Sequence, residues 1–84
     1  MSKLTIESPR QMIIGTQVKK ITGFTDEEIS ELNSMDYREM KETVLNILDE
    51  RNGNIGTCWA CGNGVYQMWI NDGAVFVEIG SSCD

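Results

Sequence analysis

Residues 55–84, IGTCWACGNGVYQMWINDGAVFVEIGSSCD, hold two apolar runs on either side of Asp72-Gly73. Asp-Gly is a preferred pair for the centre of a two-residue type I′ hairpin turn, because both positions need φ > 0 and these residues tolerate it. With that turn at the tip, Ile70 faces Val75, Trp69 faces Phe76, Met68 faces Val77 and Tyr66 faces Ile79. Alternation puts Tyr66, Met68, Ile70, Val75, Val77 and Ile79 on a core side, and Val65, Gln67, Trp69, Phe76 and Glu78 on the other. Run to the open end, the ladder sets Cys83 opposite Gly62, beside Cys61. It therefore draws Cys58, Cys61 and Cys83 towards one place.

Upstream of the hairpin the signals are helical. Thr25-Asp26-Glu27-Glu28 is a capping box, in which Thr25 caps the Glu28 amide and Glu28 returns the bond, with Phe24 packed on Ile29 as a staple. A short helix to about Asn33 follows. Asp36-Tyr37-Arg38-Glu39 repeats the device, with Met35 positioned against Met40. It opens a helix from Tyr37 to Arg51, whose apolar stripe is Tyr37, Met40, Val44, Ile47 and Leu48. Ser8-Pro9-Arg10-Gln11 also has the form of a helix start, predicting a first helix from Pro9 to about Thr22 that ends in Lys19 and Lys20 before Gly23. Against it, Gly15, Thr16, Val18 and Thr22 are indifferent helix formers, and Met12 to Ile14 could instead open a strand. Residues 1–7 read as a short strand or a lead-in.

The expected fold is α+β: three short helices (residues 9–51), then an antiparallel β-hairpin within a Cys-containing segment (55–84), in one domain spanning residues 1–84, with the N-terminus as a candidate third strand. A chain of 84 residues buries only about 60–65% of its unfolded surface, so a metal, a disulfide or a partner chain often supplements the core. The sequence has no opening apolar run and no stretch near the length of a membrane span, which predicts a protein that is neither secreted by a signal peptide nor transmembrane. Three cysteines without such a signal predict a reducing, cytoplasmic setting.

The net charge is −6, unevenly spread. Residues 1–24 carry Lys3, Arg10, Lys19 and Lys20 against Glu7; residues 25–50 carry nine acids against Arg38 and Lys41. Three helices followed by a hairpin is also the order of a winged helix, but a third helix bearing Glu39, Glu42, Asp49 and Glu50 would be repelled by phosphates, so no direct nucleic-acid binding is expected. The acids suit a basic protein surface, or a site normally occupied by nucleic acid, better.

Cys58-Trp59-Ala60-Cys61-Gly62-Asn63-Gly64 resembles the knuckle of zinc-ribbon proteins, in which Cys-x-x-Cys-Gly opens a hairpin and the glycines fold the backbone over the metal. The resemblance covers residues 58–84 and implies a structural Zn²⁺ with four tetrahedral ligands. The second strand of a ribbon ends in a further pair of ligands, whereas here there is one cysteine and no histidine. The candidate metal ligands are Cys58, Cys61, Cys83 and Asp84, with the terminal carboxylate, water or a second chain as other sources of the fourth. Three packed apolar cysteines, or a redox Cys-x-x-Cys, would leave the same trace, although thioredoxin-like chemistry wants the first thiol at a helix N-terminus rather than before a hairpin.

On the non-core side of the hairpin, Trp69 faces Phe76, and with Trp59 they form a candidate partner-binding patch alongside Glu39 and Glu42. Burial under the first helix or in a homodimer would also account for that side. Catalysis has little support: there is no histidine, no suggestive carboxylate pair and no phosphate-binding glycine loop. The expectation is a non-enzymatic, acidic interaction protein that binds another protein and carries a zinc-type cysteine site. In type it resembles the small regulators and inhibitors carried by bacteriophages, which would make its partner a host protein or complex. A small-ligand binder stacking a nucleotide-like molecule on Trp59, Trp69 and Phe76, and a redox protein using Cys58 and Cys61, are the alternatives.

Overall fold

A computed structural model describes residues 3–10, 15–53 and 58–80, the side chains of residues 9 and 10 excepted. Its elements are β1 (Thr5–Arg10), β2 (Thr16–Thr22), α1 (Asp26–Ser34), α2 (Tyr37–Asn52), a 3₁₀ turn (Cys58–Cys61), β3 (Val65–Asn71) and β4 (Ala74–Gly80). The four strands form one antiparallel sheet in the order β1-β2-β4-β3. The α+β class holds, with a larger sheet and fewer α-helices than the sequence suggested.

The predicted first helix is not formed. Residues 16–22 are a central strand, with Ile21 beside Val75 and Lys20 beside Phe76. Thr16, Val18, Ile21 and Thr22 are β-branched, and their stiff side chains suit a pleated surface that neighbours cover on both sides. Ser8-Pro9, the apparent cap, lies instead in edge strand β1, where the register shifts between Glu7 and Arg10. Proline is tolerated there because an edge strand needs no outward N–H. Local capping chemistry lost to long-range pairing, which a single stretch of sequence does not display.

The other two helices start as expected. The Thr25 hydroxyl accepts from the Glu28 amide at 3.1 Å, and Glu28 Oε1 accepts from the Thr25 amide at 2.8 Å. Asp36 accepts from the Glu39 amide at 2.8 Å. From α2, Met40, Val44 and Leu48 enter the core with Ile47 partly buried, but Tyr37 at the head of that stripe is 47% exposed. Its ring lies 6.0 Å from the ammonium of Lys41 one turn on.

Both helices cover the same face of the sheet. Leu32 of α1 and Met40, Val44 and Leu48 of α2 share one core with Ile21, Met68, Val75, Val77 and Ile79. Lys19 belongs to this side by alternation and is buried, its ammonium donating to the Ser8 hydroxyl at 2.7 Å. Two clamps hold the layers together. Asn52, at the end of α2, accepts from the Leu4 amide and donates to the Leu4 carbonyl, at 2.8 and 3.0 Å. Arg51 donates to Glu28 Oε2, tying the last turn of α2 to the first of α1. Between sheet and helices, Gly23 turns the chain at φ 112°, and a Cβ there would meet Leu4 Cδ2 at 3.2 Å.

Candidate functional site

The hairpin turns where the sequence places it: Asp72 and Gly73 have φ of 52° and 74°. The pairs Ile70–Val75, Trp69–Phe76 and Met68–Val77 all form. Beyond Gln67–Glu78 the ladder slips by one residue, so that Val65 rather than Tyr66 faces Ile79. The slip throws Tyr66 outward to 62% exposure instead of into the core, where a Cβ on Gly80 would stand 3.4 Å from its hydroxyl. Bulges of this kind re-aim a side chain, and nothing in the alternation Val65-Tyr66-Gln67 announces one. The extrapolated pairing of Cys83 with Gly62 depended on an unbroken ladder. Cys83 and Asp84 lie outside the described residues, so the three-thiol convergence is not observed.

Cys58 and Cys61 both belong to the 3₁₀ turn and both are exposed, whereas Trp59 between them is 1% exposed and packed in the core. Residues three apart nearly eclipse in a 3₁₀ helix, so the buried indole fixes a turn that presents two thiols on one side. Gly62 and Gly64, at φ 93° and 74°, then reverse the chain into β3. Gly80 donates its amide to the Gly64 carbonyl at 3.1 Å, which brings the end of β4 back beside the turn. Cys83 is three residues further on, a reach of at most about 10 Å of extended chain. No cluster of three or more His, Cys, Asp or Glu side chains able to hold a metal is assembled among the described residues. Next to the turn, Glu42, Leu45, Asn46 and Asp49 of α2 with Ala60 and Cys61 line an open groove of about 490 Å³.

The expected patch of Trp59, Trp69 and Phe76 is not one patch. Trp59 is interior, and its indole Nε1 has no hydrogen-bond partner among the described residues. Trp69 and Phe76 stand on the opposite side of the sheet from the helices, partly exposed and outside the core cluster. Their rings stack with centroids 5.7 Å apart and planes 7° from parallel. The burial option under a first helix is overturned, because that segment is β2 and lies within the sheet. β2 supplies a neighbour that helical reading hid: the Lys20 ammonium is 6.0 Å from the Phe76 centroid. Glu7, Lys20, Phe76 and Trp69 thus form one row across all four strands. In the next row Gln67 donates to Glu78, a carboxylate that is itself buried. A period of two through Val18 and Lys20 was the available signal for Lys20.

Glu39 and Glu42 are exposed on α2, in the layer on the other side of the sheet from Trp69 and Phe76. The proposed partner-binding residues therefore divide between two surfaces. On α1, Glu28 is a carboxylate with a perturbed proton affinity: the Thr25 amide, and then the Arg51 guanidinium, hold it below the usual carboxylate range against the opposing effect of burial. Among the described residues no helix is long and apolar enough to cross a membrane. Set against family models, curated proteins and solved structures, the chain matches none.

Proposed function

We propose that this chain is a small, cytoplasmic, non-enzymatic interaction protein that docks a protein partner on the sheet face its helices leave open. The observation that carries this reading is the Trp69–Phe76 stack on that face. Large rigid rings with a cation at their border are the residue types that anchor interfaces. The acids of α1 and α2 form a second surface suited to a basic partner, and regulation of a host protein or complex, as small phage-borne inhibitors do, is the role such a pair of surfaces would serve.

The nucleotide-binding alternative is less well supported. Phe76 already has Lys20 and Trp69 as neighbours, and the groove beside α2 is lined by Glu42 and Asp49, which repel phosphate. A structural zinc on Cys58 and Cys61, completed by ligands from the chain end, would pin the turn to the hairpin base and supplement a small core. Native mass spectrometry of zinc-supplemented protein is expected to show one bound zinc, lost in Cys61→Ser; a metal-free chain under those conditions would remove the metal from the proposal.

The test of docking is affinity capture with cross-linking, comparing the native chain with Trp69→Ala and with the Glu39→Lys/Glu42→Lys pair. A partner cross-linked near residues 69 and 76 and lost in Trp69→Ala is the expected result. A partner retained by Trp69→Ala and lost in the glutamate variant would move the interface to the helices.

A further inference from the structure

The two edges of the sheet differ in a way that a lone chain does not need. β1 ends the sheet with Glu7, Pro9 and Arg10 in its strand and a register shift between Glu7 and Arg10. Charges, proline and bulges are the devices that stop an edge from pairing with another strand. β3, at the other end, reads Val65-Tyr66-Gln67-Met68-Trp69-Ile70-Asn71, with no charge and no proline. Its bulge lies at the beginning, between Val65 and Gln67, and leaves Gln67 to Asn71 in regular pairing with β4.

The hairpin geometry decides which groups that edge offers. In a two-residue turn the flanking pair Asn71–Ala74 is hydrogen-bonded, and bonding alternates along the ladder, so Trp69 and Gln67 spend their backbone groups on β4 while those of Met68 and Ile70 point out of the sheet. Above the same edge, Trp69 ends the Lys20–Phe76–Trp69 row and is partly exposed.

We propose that β3 is a self-association edge, at which a second copy of this chain pairs antiparallel about a two-fold axis through Trp69. One register satisfies all of these groups. Met68 faces Ile70 of the second copy and the reverse, so outward amides and carbonyls bond each other. Trp69 faces Trp69 of the second copy at the axis, which joins the two aromatic rows into one. Gln67 faces Asn71 of the second copy, a neutral amide pair. Below the sheet, Ile70, only partly buried in one chain, lies against Met68 of the other. No formal charge opposes its like anywhere between residues 67 and 71, which is what an isologous contact requires. The product is a continuous sheet of twice four strands with a two-fold aromatic platform.

This inference does not rest on the docking role, since it concerns the purified chain alone. Sedimentation equilibrium at micromolar concentration is expected to give twice the chain mass, with the amides of Met68 and Ile70 protected from hydrogen exchange. Asn71→Lys sets a lysine on the edge beside the axis and should raise the dimer dissociation constant by roughly tenfold or more, as should Trp69→Lys. Thr5→Lys, on the other edge, should leave it unchanged. A monomer at that concentration, or a dimer in which Met68 and Ile70 amides exchange freely or which Asn71→Lys leaves intact, overturns the proposal; because Asn71 is an exposed turn-flanking residue, that variant keeps the test valid should Trp69→Lys fail to fold. An extended peptide from another protein at the same edge would appear as a monomer whose Met68 and Ile70 amides become protected only when that protein is added, and would likewise refute self-association.

Discussion

The two faces of the sheet are built from alternate residues of the same strands and have opposite character. On the helix side Ile21, Val75, Val77 and Ile79 are fully enclosed, packed against Leu32, Val44, Leu48 and Trp59. On the other side Val18, Ala74 and Glu78 are buried too, but the row Glu7, Lys20, Phe76, Trp69 holds two partly exposed aromatic rings outside the helix-side cluster. The lesson lies in the division of labour. In a chain of this size the helix side must supply most of the folding free energy, so large rings spent on the other side are available for contact with something else.

That contrast can be broken most severely from the helix side. Trp59→Ala empties the space beneath the 3₁₀ turn and is expected to cost about 3–5 kcal/mol in urea unfolding, enough to leave a domain of this size marginal. A loss under about 1 kcal/mol would mean that the turn is not anchored in the core. Thr25→Ala removes the capping box and should cost about 1 kcal/mol, read from the same transition. Acid sharpens the picture at that corner. Because the folded pKa of Glu28 is depressed, its contribution is fully present above the ordinary carboxylate pKa and is lost as pH falls through the lower folded value. Stability measured against pH should therefore fall on the acid side with a component that Glu28→Gln removes; an unchanged acid limb in that variant would show the Thr25 and Arg51 contacts to be weak in solution. At the small end, Lys20→Ala should cost about 0.5–1 kcal/mol, the worth of a half-buried cation beside a ring.

How much was readable in the sequence follows the range of the interactions. Capping boxes and a two-residue turn are set by neighbours within a few positions: Thr25 and Asp72-Gly73 act as written, and Asp36 caps the Glu39 amide without the return bond that would complete a second box. The stripe Met40, Val44, Leu48 was equally legible because helical spacing alone defines it. Residues 16–22 were not, since their partners in β4 lie more than fifty positions away and their helical signal came from the flanking Ser8-Pro9 and Lys19-Lys20-Gly23. Trp69 and Phe76 were legible as a pair from the turn. Lys20 beside them was hidden by the same misreading, and Tyr66 by a one-residue bulge. Trp59 was read as part of the binding patch and is instead a core anchor; an aromatic between two cysteines is compatible with either role, and only packing decides.

Equilibrium urea unfolding of Ile79→Ala and Trp69→Ala side by side, at chain concentrations low enough to keep the protein monomeric, tests the division between the faces most directly. Ile79→Ala should lose about 2–5 kcal/mol, whereas Trp69→Ala, which removes a larger but only partly buried side chain, should lose less: about 0.5–1.5 kcal/mol for the aromatic pair plus the contribution of the area it buries. Equal losses for the two variants would place Trp69 in the core and contradict its assignment to a binding surface.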